Sequence, residues 1–196
     1  MVFMPLFGPN PQPELDTDCC GPIKLISHKF LSWVDRPIRY FVEPVIVALN
    51  YAETLEYNAF YMVGMSGGGW ATVLASALDT RIIGSFPIAG TIPLYARRRL
   101  KDVGDFEQWY PDLYKTANYL EMYVMGSSGE GRFQFQVMNL FDPITFAGSR
   151  HQAWESVIQD VVEELGKGSF SIFLDETTKE HTLSSISFQK IIELIE

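Results

Sequence analysis

Hydrophobic residues along the chain are grouped in two ways, as short dense runs and as longer stretches with helical spacing. The dense runs predict five strands, which span residues 2–5, 58–65, 82–89, 120–125 and 170–174. The helical spacing predicts helices within residues 27–55, 67–79, 151–165 and 187–195. Strands that alternate with helices favour a mostly parallel sheet with both faces covered. We therefore expect an α/β fold, a three-layer α/β/α sandwich with about five to six strands.

Residues 91–118 break this alternation. They hold Pro93, Pro111, several aromatic residues and a run of three arginines at 97–99. This composition is not typical of another strand and helix, so we predict a small lid inserted into one domain that spans residues 1–196. We expect the arginine run to be a solvated group of charges, with contact to an anionic substrate as the alternative.

The composition is typical of a single folded domain, because 47% of the 196 residues are hydrophobic, which is enough for one sizeable core. The formal net charge of −9 disfavours nucleic acids and anionic membranes as partners. No apolar stretch is long enough to span a bilayer, and the N-terminal residues make a poor signal peptide. We therefore expect a soluble, cytoplasmic protein.

Cysteine and histidine usage gives no indication of a metal. Cys19 and Cys20 are adjacent, and sequence neighbours rarely form a disulfide because the bridge strains the peptide unit between them. There is no CxxC pair and no histidine-rich cluster. We therefore expect neither a structural metal site nor a cofactor.

The passage from the strand at 58–65 to the helix at 67–79 predicts a nucleophile. It reads NAFYMVGMSGGGWATVLASALD, which places Ser66 at a tight turn between strand and helix. Gly64 and Gly68 supply the small flanking residues that such a close approach needs. The N–H of Gly67 is then directed at a developing oxyanion near the helix end. A purely structural turn is the alternative, but no Walker lysine follows that would suggest a phosphate site.

The C-terminal two-thirds of the chain resembles the α/β-hydrolase superfamily. The segments that carry the resemblance are GMSGGG, RIIGSFPIAG, NLFDP and KEHTLS, and the run SGGGWATVLASALDTRIIGSFPIAG is similar to bacterial esterase-type members. The resemblance implies a serine hydrolase that cleaves a small carboxylic ester through an acyl-enzyme, with a triad of serine, acid and histidine. A peptidase with the same triad and an inactive scaffold that binds a partner or small ligand are the alternatives.

The chain order of this superfamily is serine, acid, histidine, which selects among the three histidines. His28 precedes Ser66 and does not fit. His151 begins a predicted helix, where capping or surface exposure explains it. His181 lies in the loop after the last predicted strand, so we predict that it is the general base, with an ordinary surface histidine as the alternative.

The triad acid is expected between the strand at 120–125 and the histidine loop. Asp142 and Glu130 both lie there, and we prefer Asp142 because an Asp-Pro turn would hold it rigidly before the helix at 151–165. Glu130 stands between two glycines, which suggests mobility. Asp175, beside the histidine loop, is a third and weaker candidate.

The N-terminal third departs from the superfamily pattern. The segment VFMPLFGPN resembles the fourth strand of that fold and its following loop, so the first three strands are expected to be missing. We predict that the N–H of Phe7 or Gly8 supplies the second oxyanion donor. A shortened, inactive or oligomer-dependent protein is the alternative, and a homo-oligomer would cover the shortened sheet. In the lid, Trp109 and Tyr110 are predicted to line the substrate pocket, with ordinary packing as their alternative.

Overall fold

The computed structural model describes residues 14–17, 19–24 and 26–196. The predicted strand at 2–5, and with it Phe7 and Gly8, lies outside these residues. A short antiparallel hairpin comes first, formed by β1 (Glu14–Thr17) and β2 (Gly21–Lys24). Cys19 and Cys20 occupy its turn and form a disulfide, so the expectation that these neighbours stay unpaired was wrong.

A parallel sheet of four strands lies at the centre of the described chain, which confirms the α/β class. Its strands, in the order in which they pair, are β3 (Phe60–Met65), β4 (Ile82–Ile88), β5 (Phe133–Asn139) and β6 (Ser169–Asp175). Because the strands are parallel, all their carboxyl ends meet at one edge of the sheet. β4 and β5 are the inner strands and are almost wholly buried, as expected for a sheet with helices on both faces.

Helices cover both faces of the sheet. One face carries α1 (Arg39–Glu53), α2 (Gly67–Leu78), α4 (Tyr119–Ser127) and α5 (Glu155–Glu164), and α6 (Ser185–Ile195) packs on the other. The larger core lies on the first face and includes the fully buried rings of Trp70 and Trp154. None of the helices in the described part of the chain is both long enough and apolar enough to cross a membrane.

The strand predicted at 120–125 was wrong, because this segment belongs to α4. Asn118 caps the helix, accepting hydrogen bonds from the N–H groups of Leu120 and Glu121, while the Glu121 carboxylate accepts from the Asn118 N–H. This reciprocal capping box selects a helix for a segment whose composition also suits a strand. The third parallel strand is β5 instead.

β5 was not predicted from the sequence because two glutamines interrupt its hydrophobic pattern. Gln134 and Gln136 are buried in the sheet and bond to each other, with Gln136 Nε2 2.8 Å from Gln134 Oε1. Gln134 Nε2 donates in turn to Ser85 Oγ at 3.1 Å. Buried polar groups of this kind are tolerated when their hydrogen bonds are made within the core. Their polarity therefore hides a strand that is internal to the sheet.

The inserted segment 91–118 lies against α2 and α4. It contains three short 3-10 turns, Leu94–Ala96, Leu100–Asp102 and Phe106–Trp109, followed by α3 (Pro111–Thr116). Trp70 Nε1 of α2 donates to the hydroxyl of Tyr114 at 2.9 Å. The segment thus joins the body of the protein through its aromatic residues.

Candidate active site

Ser66 stands at a strained turn between β3 and α2. Its φ of 56° and ψ of −121° lie in a region that residues with a side chain rarely adopt. The turn is held by backbone hydrogen bonds on both sides, from the Ser66 N–H to the carbonyl of Ile88 at 2.8 Å and from the Trp70 N–H to the Ser66 carbonyl at 3.0 Å. This is the backbone geometry of a nucleophile elbow.

Glycines permit the close approach of strand and helix at this turn, as predicted, but only one of the two predicted positions is crowded. A Cβ on Gly64 would collide with the carbonyl of Gly68 and the hydroxyl of Thr72, whereas a Cβ on Gly68 would meet open space. The second close approach joins Gly69 to Gly90, where a Cβ on Gly69 would lie 2.9 Å from the Gly90 Cα. Gly69 and Gly90 were not among the residues predicted from the sequence to lie at this close approach.

Asp142 follows β5 at the same edge of the sheet and is 3% exposed. Its Oδ1 accepts the N–H groups of Ile144 at 2.8 Å and Thr145 at 3.0 Å, which closes a turn around Pro143. Its Oδ2 lies 2.7 Å from His181 Nδ1. One carboxylate oxygen therefore holds the turn, and the other bonds to the imidazole.

His181 reaches the site because its loop folds back over the sheet edge. β6 ends at Asp175, three strands from β3, so about 14 Å separate the two strands at the usual spacing. Asn139, at the end of β5, donates from Nδ2 to the carbonyl of Thr182 at 2.9 Å and so fixes the loop above β5. His181 is thereby placed inward of the strand that precedes it.

The imidazole of His181 has one nitrogen engaged and one available. Nδ1 faces the Asp142 carboxylate, which favours the tautomer that carries its proton on Nδ1. Nε2 is buried and has no hydrogen-bond partner in the described ranges. Ser66 Oγ is therefore not hydrogen-bonded to Nε2 in this structure. In the tautomer with its proton on Nδ1, Nε2 is the ring nitrogen that accepts a proton from a hydroxyl group brought next to it.

The other acid candidates are occupied elsewhere. Glu130 precedes β5, at the opposite edge of the sheet from Ser66, and its exposed carboxylate pairs with Lys167 Nζ at 2.6 Å. Asp175 is buried at the start of the histidine loop, where it accepts hydrogen bonds from Thr177, Ser184 and Ser187. Burial opposes the ionisation of Asp175, but these hydrogen bonds prevail and hold its pKa below the usual range. Its contacts are those of a group that fastens the loop to α6.

The other two histidines lie beside other carboxylates. His151 is buried, and its Nε2 lies 3.7 Å from Glu155, one helical turn along the chain. His28 Nδ1 lies 2.7 Å from Glu107 Oε2. Of the three histidines, the structure brings only His181 together with Asp142.

Of the residues predicted to bind the oxyanion or the substrate, Gly67 lies next to Ser66, whereas Trp109 and Tyr110 pack within the inserted segment. Gly67 is the first residue of α2, so its N–H is one of the first-turn donors that need a partner outside the helix. Trp109 and Tyr110 both pack against Phe106, Trp109 edge to face and Tyr110 at a tilt, with ring centroids 5.3 Å apart in each pair. Among the contacts of the described residues, none joins Trp109 or Tyr110 to Ser66, Asp142 or His181.

A buried carboxylate that the sequence analysis missed supports the loop that carries Asp142. Asp102 is fully buried and bonds to Arg99, to Arg150 Nη1 at 2.7 Å and to the N–H of Phe146 at 3.1 Å. Burial opposes ionisation, but the two guanidinium groups and the N–H outweigh it, so the pKa of Asp102 lies well below its usual range. We name this group the Asp102 clamp: Asp102, Arg99, Arg150 and Phe146.

The arginine run at 97–99 is only in part the solvated group that we expected. Arg99 belongs to the Asp102 clamp, and Arg97 donates to the carbonyls of Ile92 at 3.1 Å and Val103 at 2.7 Å. The Arg97 guanidinium also stacks on the ring of Tyr119 at 4.9 Å. These contacts tie the inserted segment together, because each replaces water around a cation with a defined acceptor or ring.

Comparisons with known proteins find relatives in structure but not in sequence. No protein-family model matches the chain, and no curated protein matches it. Similar solved structures include a methylesterase, at 15% identity and a TM-score of 0.46 over 67% of this chain and 28% of that protein. A glucuronoyl esterase of carbohydrate esterase family 15 from Caldicellulosiruptor kristjansonii has 16% identity and a TM-score of 0.46, over 67% of this chain and 41% of its own.

A putative dienelactone hydrolase from Klebsiella pneumoniae is a third neighbour, at 11% identity and a TM-score of 0.41 over 67% of this chain and 49% of its own. These neighbours are α/β-hydrolases. The chain aligns with each of them over about two thirds of its own length. It spans less than half the length of each of these proteins.

Proposed function

We propose that the chain is a serine hydrolase that cleaves a small carboxylic ester, with Ser66 as nucleophile, His181 as general base and Asp142 as the acid that orients it. The observation that carries this proposal is the pair Asp142 Oδ2 and His181 Nδ1 at 2.7 Å, with His181 Nε2 buried and unpartnered in the described chain. The strained turn of Ser66 lies at the same edge of the sheet.

The reaction follows the logic of a serine triad. His181 Nε2 takes the hydroxyl proton as Ser66 Oγ attacks the ester carbonyl, and Asp142 stabilises the imidazolium that forms. His181 then returns the proton to the leaving alcohol as the acyl-enzyme forms. Water, deprotonated by the same imidazole, attacks the acyl group, and the acid leaves while Ser66 regains its proton.

The developing oxyanion needs hydrogen-bond donors that are already in place. The N–H of Gly67 is the first donor in this proposal, since it opens α2 and the helix end favours negative charge. The N–H of Phe7 or Gly8 stays our prediction for the second donor. Trp109 and Tyr110 stay predictions for the substrate pocket.

A fluorophosphonate probe tests the proposal directly, because it reacts with activated serines. We expect one adduct per chain, mapped to Ser66 by peptide mass spectrometry. His181→Gln should abolish the labelling, because the hydroxyl would lose its base. Ser32→Ala, which removes an exposed hydroxyl elsewhere in the chain, should leave the labelling unchanged. Folded wild-type protein that takes up no probe would instead favour the inactive scaffold.

The bond that is cleaved is tested with a matched pair of substrates. We expect p-nitrophenyl acetate to be hydrolysed and acetyl p-nitroanilide to be hydrolysed far more slowly. An amide hydrolysed as fast as the ester would favour the peptidase alternative.

A further inference from the structure

A second group of charged side chains lies where the segment before α1 meets the inserted segment 91–118. His28 begins the 3-10 turn His28–Trp33, and Asp105 and Glu107 lie at the start of the turn Phe106–Trp109. One ligand atom from each of the three side chains lies within 4.8 Å of the other two. The distances from His28 Nδ1 are 2.7 Å to Glu107 and 3.9 Å to Asp105.

The three side chains differ in exposure in a way that suits an ion open to solvent on one side. The Glu107 side chain is 1% exposed, that of His28 is 24% exposed and that of Asp105 is 65% exposed. A carboxylate as buried as Glu107 requires a cation or several hydrogen bonds close by. A divalent ion would neutralise Glu107 and Asp105 together, which one imidazole cannot do.

The donor set indicates the class of ion. Magnesium and calcium are held almost wholly by oxygen, whereas zinc and similar transition metals take imidazole nitrogen together with carboxylate oxygen. With bonds of about 2.0–2.2 Å, tetrahedral ligands stand about 3.3 Å from each other. The separations from His28 Nδ1 are 2.7 Å and 3.9 Å, and the two carboxylates offer oxygens within 4.8 Å of each other. Side-chain shifts that exchange the hydrogen bond between His28 and Glu107 for bonds to the ion would complete the geometry.

We propose that His28, Asp105 and Glu107 form a binding site for a divalent transition-metal ion, with zinc as the best match to the donors. Water would complete the coordination on the side of Asp105. The ion would fasten the turn at His28–Trp33 to the turn at Phe106–Trp109. The expectation of no metal site relied on spacing along the sequence, and these ligands lie 77 and 79 residues apart and meet only in the fold.

Calorimetric titration of chelator-treated full-length protein, without reductant, tests this site. We expect one Zn²⁺ per chain, with Mn²⁺ weaker and Ca²⁺ and Mg²⁺ much weaker, and a higher melting temperature in Zn²⁺. Asp105→Asn should weaken Zn²⁺ binding about ten-fold or more, and His28→Gln should do the same. Asp112→Asn is the matched control, since Asp112 is an exposed carboxylate of the same inserted segment, and it should retain the wild-type affinity.

Asp105→Asn is the decisive variant, because its side chain is exposed and the substitution leaves the core intact. Circular dichroism checks that the variant is folded. Wild-type protein that binds no Zn²⁺, or that binds it no more tightly than Asp105→Asn, would overturn the proposal. Binding abolished by His181→Gln but not by Asp105→Asn would place the ion at the triad, which would also overturn it.

Discussion

The two halves of the candidate active site are supported differently. Asp142 and His181 are held by hydrogen bonds of the described chain, from the turn at Pro143 and from Asn139 to the histidine loop. Ser66 follows β3, which pairs on one side only among the described strands, and the adjoining Gly67 is exposed. His181 is therefore oriented by its own hydrogen bonds, whereas the surroundings of Ser66 depend on what else approaches β3.

Removing the proposed nucleophile should have the largest effect of any single substitution. Ser66→Ala leaves Asp142 and His181 intact but takes away the attacking oxygen, so we expect kcat for p-nitrophenyl acetate to fall by about a million-fold. Ser32→Ala should retain the wild-type kcat. Substantial turnover by Ser66→Ala would show that another group attacks the ester.

Removing the charge from the acid should cost less, though still a great deal. Asp142→Asn keeps the shape of the turn but no longer favours the tautomer with its proton on Nδ1, so kcat should fall about ten-thousand-fold. Glu130→Gln, at the other edge of the sheet, should stay within about two-fold of wild type. If Glu130→Gln proved the more damaging change, the acid would have to be reassigned.

Crowding at the elbow should appear as a loss of stability. Gly64→Ala forces a methyl group against the Gly68 carbonyl, so we expect the free energy of unfolding to fall by about 3 kcal/mol or more. Gly68→Ala faces open space in α2 and should change it by less than about 1 kcal/mol. Urea unfolding of the two variants gives the comparison, and equal losses would argue against the close approach at Gly64.

The Asp102 clamp should make the free energy of unfolding depend on pH. Since the pKa of Asp102 is lowered by folding, its contribution is complete above its unfolded value and is lost as the pH falls below about 4. Asp102→Asn should therefore lower the unfolding free energy at pH 7, by about 2–3 kcal/mol, and flatten its decline in acid. An unchanged acid profile in Asp102→Asn would show that other carboxylates dominate it.

The smallest expected effect concerns the open side of β3. Tyr61 and Val63 point to the sheet face on which α6 packs, but they lie beyond α6 and are 38% and 47% exposed. This is the surface where a second copy of the chain is predicted to bind. Val63→Lys should weaken self-association about ten-fold in sedimentation experiments, because it would bury a charge at the contact. Ile186→Lys, at a similarly exposed position on α6, is the control. A wild-type protein that sediments as a monomer at all concentrations would contradict this prediction.

The parts of the fold that were predictable are those whose signals are local. The elbow was found because a dense apolar run, a serine between small residues and a helical stretch follow one another directly. β5 was missed because Gln134 and Gln136 satisfy each other inside the sheet, which sequence polarity cannot show. The Asn118 and Glu121 capping box was the available signal that 120–125 is helical.

The long-range parts of the site were less accessible. Asp142 and His181 were selected because their order along the chain matches that of the superfamily. They are 39 residues apart, and this separation does not predict that they touch. The Asp102 clamp joins residues 44 and 48 positions apart with no motif at either end. Contacts of this kind depend on how the inserted segment packs, and that follows from tertiary structure rather than from local preference.

The Asp102 clamp also bears on any attempt to exchange parts of this protein with those of another. Arg150 and Phe146 follow the acid, while Asp102 and Arg99 come from the inserted segment. A chimera that replaces residues 91–118 alone would remove the Asp102 carboxylate that Arg150 binds, in the stretch of chain that follows Asp142. The inserted segment and the loop after β5 therefore have to be exchanged together in any chimera.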